Sequence, residues 1–305
     1  MWYFYALLGP AIWALLNHLD KYLLGRFFNH DAAGPVLVVF TGFAGIVLAI
    51  AILLLDPPVF ALASWQASLL IAAGALLVAS YMPYMIALQR DEASIVASLY
   101  RLAPLFVFSL SYMILGERLR QRQIVGGLVT ITGSILLIVD LDKGRRGLNL
   151  VTFFLMCAAC LMSAGSAVLF KFIALKASFW SAAFWQYIGA GIFSIALIGG
   201  MPSYRRALFT LLRSRNAYTL VSFTLGGEAL NLLANLAVGF AGLMAPLALV
   251  SLVTGLHPLF LLAYGILFTV FFPAFGREHV TRQHILQKAI AIGVMGGGAA
   301  MTFIE

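Results

Sequence analysis

Charge is scarce in this sequence. Only 10% of its 305 residues are Asp, Glu, Lys or Arg, whereas 63% are hydrophobic. A soluble protein of this length needs a far more charged surface, so the composition excludes a water-soluble globular fold. The net charge of +8 is carried by Lys and Arg residues that lie between apolar stretches. Such charges are typical of loops that face an anionic membrane leaflet, so we predict contacts with membrane lipids and none with nucleic acid.

The residue sets of enzymes and metal proteins are missing as well. The only two cysteines, Cys157 and Cys160, lie inside an apolar stretch without a second ligand pair, so we interpret them as packing residues. There is no phosphate-binding loop, no metal-ligand cluster and no legible nucleophile–base arrangement. We therefore expect no enzyme activity, no cofactor and no metal. The N-terminus has no basic region and no cleavage site, which predicts that the first apolar stretch is retained.

Long apolar runs are what the sequence does contain. A membrane-spanning helix needs about 20 mostly apolar residues, and ten segments meet this condition. Their predicted bounds are 4–25, 34–55, 65–88, 94–115, 122–140, 150–173, 179–200, 217–241, 245–272 and 284–303. The sequence thus predicts an all-α integral membrane protein with ten transmembrane helices.

A weak internal repeat divides the chain into halves at 1–147 and 148–305. The residues that recur at matched positions are the pairs Gly116 and Gly276, Arg122 and Arg282, and Gln123 and Gln283. Each half holds five segments, an odd number, so the second half enters the membrane in the opposite sense to the first. An inverted repeat of this kind encloses a cavity near the midplane of the membrane.

Two related sets of residues carry a family resemblance. The first half contains Ala87-Leu88, the run 93–99, Pro104, the run 115–119, Gln123, Gly126 and Gly133. The second half repeats this loosely with the run 245–249, Pro258, the run 276–278, Gln283 and Gly293. These residues resemble the EamA-type members of the drug/metabolite transporter superfamily over essentially the whole chain. The resemblance implies two inverted five-helix halves and a central cavity walled mostly by segments 1, 3, 4, 6, 8 and 9.

The same resemblance places segments 5 and 10 at the periphery. There, Gly126, Gly127, Gly133, Gly293 and Gly297 suit close helix packing or contact in a homodimer, and a monomer remains the other option. The resemblance also implies that both termini lie in the cytoplasm. The Lys and Arg residues, however, are concentrated in the loops after the odd-numbered segments, which places both termini outside. We adopt the charge-based orientation, in the bacterial inner membrane.

Polar residues on the eighth segment are the sharpest candidates for a site. Glu228, Asn231 and Asn235 follow one another at i, i+3 and i+7, so they share a helix face. A carboxylate at this depth is costly unless it is paired, protonated or exposed to water. We interpret Glu228 as a proton-titrating or cation-binding group, with a structural pairing to a basic neighbour as the alternative.

The fourth segment carries a polar stripe beside Pro104 that includes Ser98 and Arg101. Arg101 has three possible roles. It pairs with Glu228 across the cavity, holds a carboxylate or phosphate of the substrate with its planar fork, or extends to the membrane interface.

Further residues are weaker candidates for the cavity wall. They are Asn17, Asp20, Lys21, Tyr81, Tyr84, Tyr100, Lys171, Trp185, Gln186 and His257. Lys21 and Lys171 occupy equivalent places in the repeat, and both also lie near helix ends, where lysines reach lipid headgroups. Each aromatic residue has lipid contact or core packing as its alternative, and His257 has helix packing.

Together these features predict a secondary active transporter of a small polar or amphipathic metabolite or drug. It works by alternating access, with a proton as the candidate coupling ion. A flippase for a lipid-linked group is the alternative on the same fold. An integral membrane enzyme or a non-transporting subunit is less favoured, because the catalytic set is missing and both halves are complete.

Overall fold

The computed structural model describes the backbone of residues 1–27, 30–91, 93–138, 149–214, 217–271 and 282–303. Within these ranges, the side chains of 20–27, 30–33, 57, 93–94, 137–138, 269–270, 282–289 and 303 are not described.

The described backbone is helical throughout and contains no strand. The helices are α1 (Trp2–Phe27), α2 (His30–Leu55), α3 (Ser64–Arg90), α4 (Ala93–Tyr100), α5 (Ala103–Leu115), α6 (Gln121–Ile138), α7 (Leu150–Ala174), α8 (Phe179–Gly200), α9 (Pro202–Leu212), α10 (Ala217–Met244), α11 (Leu247–Thr254), α12 (His257–Phe271) and α13 (Arg282–Phe303), with a short 3-10 helix at Pro57–Ala61.

Seven helical stretches in the described part of the chain are long and apolar enough to cross a membrane. They are Gly34–Leu55, Ser64–Arg90, Ile95–Leu115, Leu150–Ala174, Phe179–Gly200, Ala217–Met244 and Leu247–Phe268. Helices satisfy all their backbone hydrogen bonds internally, which lipid requires. Large apolar side chains such as Leu55, Phe154 and Phe271 are largely exposed on the outer surface, as lipid contact allows. The chain is therefore an integral multi-pass membrane protein.

The fourth and ninth predicted segments are each interrupted, which the sequence analysis did not predict. α4 ends at Tyr100, four residues before Pro104, and α11 ends at Thr254, four residues before Pro258. A proline has no N–H and its ring clashes with the carbonyl four residues earlier, so each helix stops at that residue. By contrast, Pro83 lies inside α3, which stays continuous.

The connection at 201–216 also differs from its prediction as a loop, because it contains α9. Ala207 and Leu211 of α9 are buried against Val36 and Phe40 of α2 and Leu220 of α10. Burial of this small apolar face fixes the helix, while its opposite face stays exposed.

Helices α6 and α13 pack along each other, as the glycines of segments 5 and 10 predict. A Cβ atom on Gly126 would lie only 2.7 Å from the carbonyl oxygen of Gly298, and one on Gly133 would lie 2.6 Å from a side-chain carbon of α13. Gly293 and Gly297, in contrast, have no described atom within 4 Å of such a Cβ. The close approach therefore depends on the first two glycines and Gly298.

Candidate functional site

A cavity of about 360 Å³ lies among α1, α2, α3, α7, α10 and the two interrupted segments. These include the helices that the family resemblance implies as cavity walls, with α2 in addition. The predicted site residues that line it are Asn17, Tyr81, Tyr84, Tyr100, Arg101, Glu228, Asn231, Asn235 and His257. Nine side chains from five separate segments of the chain are thus brought to one cavity.

The carboxylate of Glu228 is held by donors from two helices. The Thr41 hydroxyl on α2 donates to Glu228 Oε2 over 2.8 Å, and Asn231 Nδ2 donates to the same oxygen over 3.1 Å. Asn235 Nδ2 in turn donates to the backbone oxygen of Asn231 over 2.9 Å. The predicted shared face of these three α10 residues is therefore present, and hydrogen bonds to a carboxylate favour its charged form.

The guanidinium of Arg101 lies at the interruption between α4 and α5. Its Nη2 is 3.3 Å from Nδ1 of His257, the first residue of α12. Nε2 of the same imidazole is 3.2 Å from Asn17 Nδ2 on α1. The two helix interruptions are therefore joined by a side-chain contact, and Arg101 faces the cavity instead of the membrane interface.

The expected pairing of Arg101 with Glu228 is not among the contacts described above, which lead to different neighbours. Arg101 contacts His257, whereas Glu228 accepts from Thr41 and Asn231. Both groups line the same cavity, yet each has its own set of neutral polar partners.

Aromatic rings form much of the remaining wall. The rings of Tyr84 and Tyr100 meet edge to face, with their centroids 5.7 Å apart. The hydroxyl of Tyr81 lies 3.4 Å from Asn231 Nδ2, and Trp13 lines the cavity from α1. Aromatic faces with polar tips suit a ligand that carries an apolar body and polar groups.

Four predicted candidates lie away from this cavity. Trp185 Nε1 donates to the backbone oxygen of Val59 over 2.9 Å, and Gln186 Nε2 donates to Ser166 Oγ over 3.1 Å. Both residues thus tie α8 to its neighbours. Ser98 is not part of the cavity lining, and Lys171 is engaged elsewhere. The side chains of Asp20 and Lys21 lie outside the described residues.

Lys171 forms a buried ion pair with Glu117, whose role the sequence analysis did not recognise. Lys171 Nζ lies 2.5 Å from Glu117 Oε1 and donates to the backbone oxygen of Ala245 over 2.7 Å. The other carboxylate oxygen of Glu117 accepts the backbone N–H of Leu247, the first residue of α11, over 2.7 Å. A carboxylate at a helix N-terminus satisfies an otherwise unpaired N–H group and complements the helix dipole. This pair therefore fixes the start of α11.

Sequence reasoning also missed Thr41 and Trp13. Thr41 carried no signal, because a threonine inside an apolar helix commonly bonds the carbonyl one turn earlier, and Thr41 does so with Leu37. Trp13 resembles the many aromatic residues that face lipid in this chain. The two cysteines are free thiols; Cys160 is buried and Cys157 partly buried.

Comparison with known proteins supports the fold and the kind of protein. Residues 1–139 match the EamA-like transporter family. No curated protein matches the sequence of this chain significantly. A solved crystal structure has the same fold, with a TM-score of 0.69 over 99% of this chain and 95% of that one, at 16% sequence identity. At this identity the structural likeness speaks for the fold alone.

Proposed function

Through residues 1–139 this chain belongs to the EamA-type transporters of the drug/metabolite transporter superfamily, and from that premise we propose that it is a secondary active transporter of a small polar or amphipathic metabolite or drug. The observation that carries the proposal is the cavity, which holds a carboxylate and a guanidinium between helices that are apolar enough to cross a bilayer. Ionisable groups at this depth are expensive, and a substrate pathway is the usual reason for them.

Movement in this proposal follows alternating access. The chain crosses the bacterial inner membrane ten times, as inverted halves at 1–147 and 148–305, with the cavity between them. The interruptions after Tyr100 and Thr254 stand at equivalent places in the two halves and lack a continuous helical hydrogen-bond ladder. They are therefore the places where bending costs least, and we assign them as the hinges of the movement.

Glu228 is the proposed coupling group. Two neutral donors, Thr41 and Asn231, hold its Oε2 atom and stabilise the carboxylate. A carboxylate in a cavity that opens to each side in turn can take up a proton on one side and release it on the other. It also attracts a cationic group of the substrate.

A flippase for a lipid-linked group remains the second candidate, and α9 is the observation that favours it. Arg205, Arg206 and Arg213 are exposed along or just after this helix, together with the apolar side chains of Phe209 and Leu212. Arginines beside apolar side chains suit the level of lipid headgroups, where a lipid-linked substrate enters a cavity from the side.

A transport assay in proteoliposomes tests the first proposal. Amino acids, nucleotides, sugars, polyamines and quaternary amines are offered in turn under an imposed pH gradient, while a trapped dye reports proton movement. We expect one class to be transported and Glu228→Gln to lower proton-coupled flux at least tenfold, as loss of the only titrating step implies. Asp56→Asn, which neutralises a carboxylate after α2, is the matched control and should keep the flux of the wild type.

Two outcomes contradict the proposal in different ways. Unchanged pH-driven flux in Glu228→Gln removes Glu228 from coupling. Failure of every soluble compound, together with movement of a labelled lipid between leaflets, favours the flippase instead.

A further inference from the structure

Arg101 is a cation whose hydrogen-bonding capacity the described part of the chain does not fill. Its Nη2 contacts His257, but its Nε is buried and has no hydrogen-bond partner there. No described carboxylate lies within ion-pair distance of this guanidinium. Buried donors are nearly always paired, and an unpaired charged one is more costly than a neutral one. The guanidinium is therefore short of an acceptor that carries negative charge.

His257 holds this guanidinium in place without neutralising it. Arginine can only donate hydrogen bonds, so His257 Nδ1 has to be the acceptor and the neutral imidazole carries its proton on Nε2. That nitrogen lies beside the side-chain amide of Asn17. The amide oxygen and nitrogen of an asparagine exchange places by rotation, so Asn17 accepts the Nε2 proton with its oxygen. Asn17 and the neutral His257 thus form a chain of hydrogen bonds that ends on Arg101.

Two helix N-termini converge on the same place. α5 begins at Ala103 and α12 begins at His257, and both residues line the cavity beside Arg101. The helices are 13 and 15 residues long, so each directs a partial positive charge and unpaired N–H groups from its first turn. N-termini of this kind bind anions readily, and here they accompany a guanidinium.

We propose that this junction, made of Arg101, His257 and the first residues of α5 and α12, binds an oxyanionic group of the transported substrate, a carboxylate or a phosphate. Arg101 binds the oxygens, and His257 is a positioning residue that acts through Arg101. The inference rests on the proposed transport function and deepens it. Arg101 and α5 belong to the first half of the chain, and His257 and α12 to the second. A bound oxyanion therefore stabilises the arrangement in which the two interruptions meet.

Binding of simple anions to the purified full-length protein in detergent tests this site. The probes are inorganic phosphate, acetate and, as a cation control, tetramethylammonium, measured by calorimetry and by thermal shift in a gluconate buffer. We expect at least one anion to bind the wild type. Arg101→Gln should abolish that binding, and Arg101→Lys should weaken it on the order of tenfold, because an ammonium lacks the planar fork.

Arg206→Gln is the matched control, since it removes an equal charge from the exposed face of α9. It should leave anion binding unchanged. Should Arg101→Gln fail to fold, the comparison of Arg101→Lys with Arg206→Gln carries the test, because both keep a folded charge balance close to that of the wild type.

A pair of His257 variants tests the positioning role. The side-chain oxygen of asparagine reaches the place of Nδ1, so His257→Asn still offers Arg101 an acceptor and should retain anion binding. His257→Phe keeps the ring volume without the acceptor and should weaken binding on the order of tenfold. Equal affinity of these two variants overturns the role of His257.

The remaining outcomes separate this site from the transport proposal. Equal anion binding in Arg101→Gln and Arg206→Gln, or no binding of either anion to the wild type, overturns the oxyanion site even where transport is intact. Anion binding that depends on Arg101 without flux of any compound overturns the transport function alone. Binding of phosphate but not acetate assigns the group as a phosphate, and the reverse assigns it as a carboxylate.

Discussion

The two groups of charged side chains inside this protein differ in what surrounds them. Glu117 and Lys171 form a closed pair in which each charge also meets a backbone group, with side chains that are only 13% and 6% exposed. Arg101 and Glu228 line a cavity instead, and the contacts described for them come from neutral side chains. The first pair is satisfied from every side by the protein, whereas the second group retains capacity for a ligand.

This difference separates structure from function more reliably than depth in the membrane. All four residues are ionisable groups inside or beside apolar helices, and that property alone makes each a candidate for a site. Lys171 fills its hydrogen-bonding capacity at the N-terminal end of α11 and has none left for a substrate. A closed pair should therefore govern stability, and the cavity residues should govern transport.

Breaking the closed pair should have the largest effect on stability. Lys171→Met leaves the Glu117 carboxylate buried without its counter-ion, which should lower the free energy of unfolding by about 3–5 kcal/mol. Denaturant unfolding in detergent, followed by circular dichroism, measures this change. Glu117→Gln combined with Lys171→Met removes both charges and should recover much of the loss. A single variant as stable as the wild type would show that the pair is not a structural element.

Removing one donor from Glu228 should have an intermediate effect. Thr41→Val keeps the shape of the side chain and loses a hydrogen bond to a charged acceptor, which should cost about 1.5–3 kcal/mol of unfolding free energy. Thr41→Ser retains the hydroxyl and serves as the control in the same denaturant experiment. Equal losses in the two variants would indicate packing, and not the hydrogen bond to Glu228, as the cause.

A smaller loss is expected at Trp185, which lies outside the cavity. Trp185→Phe removes the hydrogen bond to Val59, worth about 1 kcal/mol, and keeps most of the aromatic packing. Transport in proteoliposomes should match that of the wild type once the amount of folded protein is equalised. A specific loss of substrate affinity in this variant would return Trp185 to the candidate site.

The smallest change in stability is expected for Glu228→Gln. The amide keeps an oxygen that accepts from Thr41 and Asn231, so the free energy of unfolding should change by less than about 1 kcal/mol. Proton-coupled transport should nevertheless be lost. Thermal unfolding and flux measured on the same preparation give the comparison, and parallel losses of both would remove the distinction between the two charge groups.

Part of the site followed from the sequence because it depends on local geometry. Glu228, Asn231 and Asn235 share a face through the period of a single helix, and α10 has that face towards the cavity. The matched prolines were visible as bending points, although the full interruption of both helices was not predicted. The reason is that Pro83, the same residue type in a similar setting, leaves α3 continuous.

Other parts depended on contacts between distant segments. Lys171 was assigned to the cavity because its partner, Glu117, lies in a different segment and had no recognised role. Thr41 lies far from Glu228 in the chain, and nothing about its neighbours in sequence distinguishes it. Trp185 and Gln186 had the right residue types for a cavity wall, yet the rotation of α8 directs them to Val59 and Ser166.

The sequence by itself determined that this chain lives in a membrane, that it is helical and that it resembles the EamA-type transporters. Those properties follow from composition and from apolar length, which act on each segment separately. Only the tertiary structure decided which polar groups meet. Partner choice depends on the rotation and packing of whole helices, and a one-dimensional pattern does not encode the rotation of one helix against another.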